Sequence, residues 1–270
     1  MTALMTLNGV RIEYQDIGTS SAGKPALVLL TGWGHDLRYY RRLIPHLAPE
    51  FRVVALSWRG HDADRTLVGD YGVHEQTADT IALLDAIGVD VFVPVAHAHG
   101  GWVALQLADE LGVQRVPRVL IADLIMTTIP SDFAAAVRDL QKPDRWKSAR
   151  AGLAKSWLSG GVTLPLLKHL LIESRGFGFD TWARSGRVIE DAYNRWGSPM
   201  GRMEQLNEPR PIRHVFSHPK TSSYDELHVA FRGRHPWFSH RRLAGRTHFP
   251  AHELPREIAT EIRAFVNEST

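Results

Sequence analysis

The 270-residue chain contains no cysteine. That excludes disulfide bridges, a thiol nucleophile and any cysteine-ligated metal centre. No apolar run approaches the roughly 20 residues that a membrane-spanning helix needs. The opening "MTALMTLNGV" lacks the basic start and long apolar stretch of a secretory signal, so a cytoplasmic protein is the expectation. Neither sign of charge dominates: 32 Lys and Arg face 29 Asp and Glu, for a formal net charge of +3. The local basic groups, "RYYRR" and "HRRLAGR", are short and read as solvated surface, so no nucleic-acid or membrane partner is expected. Repeats and low-complexity segments are also missing. What remains is an apolar content of 44% with 23% charged residues, ordinary for a globular enzyme.

The order of elements is legible along most of the chain. "LMTLNGVRIEYQDIG" predicts two strands joined at Asn8-Gly9, a strong hairpin signal. "PALVLLTGWG" and "FRVVALSWRGHDAD" read as strands buried on both faces, with one helix over "DLRYYRRLIPHLAPE" between them. "VHEQTADTIALLDAIGV" predicts an amphipathic helix with Ile81, Leu84 and Ile87 on one face, ending at Gly88. "VDVFVPVAHAHGG" and "RVPRVLIADLIM" supply two more strands, separated by a helix from near Trp102. From Pro130 four helix-like segments follow without a strand: "SDFAAAVRDLQ", "DRWKSARAGLAKSWLSG", "TLPLLKHLLIES" and "FDTWARSGRVIEDAYNRW". Strand patterning returns at "PIRHVFSHP" and "WFSHRRLAGRTHFP", before a closing helix "LPREIATEIRAFVNE". This rhythm predicts an α/β fold with a mostly parallel central sheet flanked by helices. Residues 1–129 and 206–270 would form the core. Residues 130–205 would form a helical cap inserted between the sixth and seventh strands, where a cap covers an active site.

Catalytic side chains in such sheets sit in loops at the carboxyl ends of strands. Four of those loops carry candidates: "TGWGHD", "AHAHGG", "ADLIM" and "RTHFP". Their chemical order is nucleophile position, acid, histidine, which is the order of the α/β-hydrolase fold. The strand-to-helix turn Ala96-His97-Ala98-His99-Gly100 has the small-x-nucleophile-x-small frame of that fold, with alanine in place of the attacking residue. Ser57 lies on a different strand and is no substitute. His248 follows the last strand, where the hydrolase histidine belongs. Asp123 follows the sixth strand, in so apolar a segment that its carboxylate needs a partner, and a histidine N–H suits it. "HVFSHPKTSS" offers no acid after the seventh strand, and Asp225 in "SSYDELH" is the competing carboxylate with surface-like neighbours. The backbone N–H of His99 and one near Trp33 are the expected pair of oxyanion donors. A base, an acid and an anion pocket without a nucleophile argue against an acyl-enzyme.

Taken together, "TGWGHD", "FRVVALSWRGHD", "HAHGGW", "ADLIM", "AKSWLSG" and "GRTHFP" resemble the cofactor-independent 3-hydroxy-4(1H)-quinolone 2,4-dioxygenases, an offshoot of the α/β-hydrolase fold. The resemblance covers nearly the whole chain. Its most specific parts are the Trp-x-His pair at 33 and 35, the histidines flanking the elbow, and an acid after the sixth strand. It implies cleavage of the heterocycle by O₂, release of carbon monoxide and an N-acylanthranilate product, with neither metal nor organic cofactor. By position, His248 would be the general base and Asp123 its partner. His35 and Trp157 would contact the substrate, with Trp182 a further cap candidate. Ala98 departs from the pattern. Familiar members carry serine there, hydrogen-bonded to the substrate and not attacking it, so alanine would weaken positioning without abolishing the chemistry. A 3-hydroxy-4-quinolone brings its own electron-rich carbon once deprotonated, so the enzyme needs a base and a dry, oriented pocket.

Three other readings compete. His97-x-His99 among fourteen histidines suggests a metal-ligand pair, although it lacks a further ligand at close spacing. A non-catalytic ligand receptor on the same fold would bind an apolar ring without consuming O₂. An ester hydrolase disarmed at Ala98 is the third. The apolar cap segments "AGLAKSWL" and "LPLLKHLL" fit either a channel for a 2-alkyl chain, as in the Pseudomonas quinolone signal, or simple helix packing. An alkyl-quinolone substrate would make the enzyme quorum-quenching, whereas a 2-methyl substrate would place it in N-heterocycle catabolism.

Overall fold

The computed structural model describes residues 2–19, 23–65, 68–170 and 176–268. Among these, eight strands form one sheet in the order β1-β2-β4-β3-β5-β6-β7-β8. They are β1 Thr2–Leu7, β2 Val10–Ile17, β3 Ala26–Leu30, β4 Val53–Leu56, β5 Phe92–His97, β6 Val119–Ala122, β7 Ile212–Phe216 and β8 Phe238–Arg242. The β1–β2 hairpin turns at Asn8 and Gly9, both at positive φ, as the Asn-Gly pair predicts. β2 also pairs antiparallel with β4, and the remaining pairs are parallel.

The helices are α1 Ile44–Leu47, α2 Val73–Ala86, α3 Gly100–Arg115, α4 Ser131–Leu140, α5 Trp146–Trp157, α6 Leu164–Lys168, α7 Phe179–Trp196, α8 Pro199–Glu204, α9 Ser222–Arg234, α10 Pro250–Glu253 and α11 Pro255–Asn267. Two cores lie on opposite faces of the sheet, and strand alternation divides them. Val28, Leu30, Val54 and Leu56 enter the core that holds Trp102 and Val103 of α3. Leu27, Leu29, Val53 and Ala55 enter the core that holds Ile258 and Ile262 of α11. The chain runs from β3 outward to β4 and then crosses to β5 on the other side of β3. The crevice at this switch opens beyond the carboxyl ends of β3 and β5.

Several local expectations are corrected. The single helix expected over residues 36–50 is a 3₁₀ turn, Leu37–Tyr40, followed by the one-turn α1. Pro45 has no N–H to give Arg41 and its ring would crowd that carbonyl, so the helix restarts with proline in its first turn. In α2 the buried face is centred on Gln76, Thr77, Asp79, Thr80, Leu83 and Leu84, while Ile81 and Ile87 are only partly buried. Most of this polar face is satisfied: Thr77 and Thr80 bond back to Val73 and Gln76 carbonyls, and Asp79 takes both Asn8 and Arg59, while the Gln76 amide has no partner among the described residues. α8, α9 and α10 were not anticipated. Of the segment "TLPLLKHLLIES", residues 171–174 lie outside the described residues.

One contact fixes the approach of α3 to the sheet. A methyl group on Gly100 would come within 2.5 Å of the Thr31 carbonyl oxygen and 2.8 Å of that of Leu30. Gly100→Ala is therefore expected to destabilise the fold by about 1–3 kcal/mol through overpacking. Urea denaturation checks this, and a loss under about 0.5 kcal/mol would show that the helix can back away freely.

Candidate active site

At the crevice lies a cavity of about 740 Å³ whose wall includes Trp33, His35, Ala98, His99, Asp123, Trp157, Trp182 and His248. Each residue anticipated for the site thus lines one space. β3, β5, β6 and β8 supply the loops below, and α4, α5 and α7 supply the surface opposite.

The elbow after β5 keeps its strained geometry. Ala98 has φ 48°, in the left-handed region that costs a residue with a Cβ on the order of 1 kcal/mol. Its N–H is held by the Ala122 carbonyl at 2.7 Å, and its own carbonyl takes Gly101 N–H at 2.9 Å. Among the described residues, the next N–H, of His99, has no acceptor, and neither has that of Trp33. The two expected oxyanion donors are uncommitted.

The first loop, residues 31–37, is pinned from β4 and the turn that follows. Leu37 N–H donates to Ser57 Oγ at 3.2 Å, Trp58 Nε1 donates to the Thr31 carbonyl at 2.9 Å, and Gly34 N–H reaches His61 Nε2 at 3.4 Å. His61 must then carry its proton on Nδ1, 3.2 Å from the Arg59 carbonyl. Above the loop, Trp182 of α7 lies so close that a Cβ on Gly34 would be 2.6 Å from its ring. The indole N–H groups of Trp33 and Trp182 are both buried without an acceptor among the described residues. His35 shares a 2.9 Å hydrogen bond through Nδ1 with Nε2 of His169, just beyond α6.

Asp123 also sits at positive φ, 48°. Its Oδ1 accepts the N–H groups of Ser217 at 2.8 Å and His218 at 3.1 Å. Oδ2 is buried with no partner, so the expected Asp123–His248 hydrogen bond is not formed here. Burial raises this carboxyl to about 7, against the pull of the two N–H groups. Burial also holds the His248 imidazole well below its ordinary value, with His97, His99, His35 and His218 adding to the effect. The ring is therefore a neutral base near pH 7. Trp157 stacks on it with ring centres 5.7 Å apart and planes 23° apart. Asp225, the competing acid, is spent on Arg242 at 2.7 Å and does not line the cavity. Ser57 is engaged with Leu37 and with Glu13 at 3.1 Å.

His97 and His99 are engaged with different neighbours. Nε2 of His97 is 2.7 Å from the His248 carbonyl, while the His99 ring lies parallel to Phe133 of α4, 5.6 Å away. Among the described residues no group of three His, Cys, Asp or Glu is placed to hold a metal ion. Sequence reasoning passed over Tyr224 as surface, yet its hydroxyl accepts Met126 N–H and donates to the Leu124 carbonyl, fixing the loop after Asp123. The spacing of Tyr224, His228 and Phe231 along α9, all buried, was the available signal.

Comparison with known proteins gives a consistent picture. A family model described as alpha/beta hydrolase fold matches residues 25–173. A Mycobacteroides abscessus protein named 2-heptyl-3-hydroxy-4(1H)-quinolone dioxygenase is 56% identical over 97% of this chain and 96% of its own. The 1H-3-hydroxy-4-oxoquinoline 2,4-dioxygenase of Pseudomonas putida is 35% identical over 97% of this chain and 98% of its own. Among solved structures, an AqdC variant in complex with its substrate, described for recognition and ring cleavage of the Pseudomonas quinolone signal, superposes with a TM-score of 0.96. It is 55% identical and the match covers 98% of this chain and 99% of that one.

The buried histidines make stability depend on pH. Burial lowers His61 and His97 to about 4 and His99 and His252 to about 3. Unfolding returns each to its ordinary value near 6.5, so unfolding takes up protons. Their contribution is complete above about pH 6.5 and declines as pH falls toward 4, by about 1.4 kcal/mol per pH unit for each proton. Asp123, raised to about 7, works the other way, but it is one group against four. The melting temperature is expected to fall between pH 7 and 5, with uptake of two or more protons on unfolding. Calorimetry in buffers of different ionisation enthalpy measures that number, and an uptake below one would mean that the histidines are already charged in the native state.

Proposed function

This chain belongs to the 3-hydroxy-4(1H)-quinolone 2,4-dioxygenases of the α/β-hydrolase fold, and we propose that it cleaves a 2-alkyl-3-hydroxy-4(1H)-quinolone with O₂ to an N-acylanthranilate and carbon monoxide. The observation that carries this reading is a complete elbow with a methyl group where a nucleophile would stand, in the same cavity as a neutral imidazole. Such a site can take a proton but cannot form an acyl-enzyme.

In this reading His248 removes the proton of the substrate 3-hydroxyl. The buried Oδ2 of Asp123 becomes the acceptor for the imidazolium that results. The Trp33 and His99 N–H groups stabilise negative charge on the C4 oxygen. His35, Trp157 and Trp182 hold the ring, and residues 130–205 serve as the cap that keeps water out. The substrate anion transfers an electron to O₂, and a peroxide at C2 closes on C4. Carbon 3 then leaves with its own oxygen as carbon monoxide. The two atoms of O₂ end on the amide and carboxylate carbons, and the proton held by His248 is released with the product. No metal or organic cofactor enters these steps. The alkyl preference follows the Mycobacteroides relative, named for the 2-heptyl compound, and the apolar stretch of α4, α5 and α7 on the cavity wall. A cytoplasmic enzyme that removes the Pseudomonas quinolone signal, and so quenches quorum sensing, is the biological role that fits.

The test is incubation with 2-heptyl and 2-methyl congeners under air, following carbon monoxide and the acylanthranilate, with a chelator-treated sample alongside. Equal rates with and without chelator are expected, with the heptyl compound preferred. His248→Ala should lower turnover by about a hundredfold or more while substrate binding changes far less, and Asp123→Ala should cost less. Near-normal turnover of His248→Ala would remove it from the mechanism.

Ala98→Ser places a hydroxyl beside the expected 3-oxygen. It should tighten binding or raise turnover by about 1 kcal/mol, the worth of one neutral hydrogen bond. No covalent adduct should form with the quinolone. Intact-protein mass spectrometry checks for one, and an acylated serine variant of an otherwise inactive protein would make this a disarmed hydrolase.

A further inference from the structure

The four N–H groups of the loop that carries His248 are all accounted for. Those of Arg246 and Thr247 donate to the Glu253 carboxylate at 2.9 Å, and that of Phe249 reaches Thr247 Oγ1 at 3.2 Å. The N–H of His248 itself leaves the loop and donates to the Trp157 carbonyl, at the C-terminus of α5, at 3.0 Å. Its carbonyl also leaves the loop, and its partner is the side chain of His97 at 2.7 Å. The base is thus held on one side by a helix-end carbonyl that has no partner inside its helix and on the other by the last residue of β5.

We propose that His97 is a positioning residue for His248, fixing the height of the imidazole above the elbow by donating Nε2–H to the His248 backbone carbonyl. A carbonyl oxygen only accepts, so the bond assigns the tautomer: the proton is on Nε2 and Nδ1 is bare. Nδ1 is indeed buried without a partner. The ring cannot swing away, since it stacks on Tyr39 at 4.5 Å and lies 4.9 Å from the His248 ring. On its Nδ1 side a Cβ on Gly32 would sit 3.3 Å from that nitrogen, so glycine there leaves the ring its space. Burial keeps His97 neutral down to about pH 4, which spares His248 a cation beside it. His97 also borders the cavity, and the positioning role follows from its bond to the His248 carbonyl.

The inference rests on the dioxygenase reading for its kinetic arm, and a second arm is independent of turnover. His97→Phe keeps an aromatic ring against Tyr39 and removes the donor, whereas His97→Gln returns an N–H close to the position of Nε2. Expected is a fall in kcat of about tenfold or more for His97→Phe, KM within about threefold, and recovery in His97→Gln to within about threefold of the parent. Equal melting temperatures of the two variants would separate positioning from folding. In ligand-free ¹⁵N-labelled protein, long-range proton–nitrogen spectra should show His97 as the Nε2–H tautomer, and the His248 ring signals should move in His97→Phe and return in His97→Gln. Failure of the parent to consume any quinolone would defeat the functional reading, and the spectra would still decide the role of His97. Unchanged kcat in His97→Phe, an equal loss in both variants, or His248 signals that ignore the substitution would overturn it.

Discussion

The contact between the Gly100 backbone and the carbonyl oxygens of Leu30 and Thr31 is the constraint from which the site follows. With no side chain in the way, α3 starts directly over the end of β3. Two residues earlier the chain turns through the left-handed region, at Ala98. That turn places Ala98 on the cavity wall, and the His99 N–H has no acceptor among the described residues. The geometry belongs to the backbone, so it survives when the side chain at position 98 carries no reactive atom. A methyl group there still has the apolar part of the role, filling space against Gly32.

A neutral interior is the second theme. His35, His97, His99 and His248 share one region, and each is held below its ordinary value chiefly by burial. Four imidazoles in one low-dielectric space cannot all be charged, and their mutual repulsion helps keep them neutral. Asp123 is subject to the same desolvation, with its carboxyl pushed upward and one oxygen unpaired. Asp123 and His248 are not hydrogen-bonded to each other. The arrival of a proton on His248 changes that balance, because imidazolium and carboxylate stabilise each other where neither is stable alone.

Much of this was legible from residue order. The elbow frame, the strand-end acid and the last-loop histidine are local patterns, and local patterns survive without coordinates. The buried strands announced themselves by continuous apolar runs, and the Asn-Gly turn by its backbone preference. What escaped was tertiary. The polar face of α2 is buried because Asp79 finds partners far away in sequence while the threonines bond back into their own helix, which hydrophobic periodicity cannot see. Tyr224 stands in the segment whose polar neighbours read as surface around Asp225, yet it is the clamp on the loop after Asp123. His97 and His99 looked like a pair, and packing sends one to the base loop and the other to Phe133.

The bond from His248 N–H to the end of α5 has a partner nearby. A Cβ on Gly160, just past that helix, would come within 1.9 Å of the Arg246 carbonyl oxygen, so the two chain segments are in backbone contact at both places. The helices between β6 and β7 are therefore no interchangeable lid. A chimera that imported this stretch from a relative to change substrate range would also import, or lose, one of the two bonds that hold the backbone of His248. Recombination points that respect the reactive centre lie inside the stretch, before Trp157 or beyond Gly160, and not at its sheet-side borders. Changes of cavity shape that leave this bond in place can be made on α4 and α7, whose side chains line the cavity.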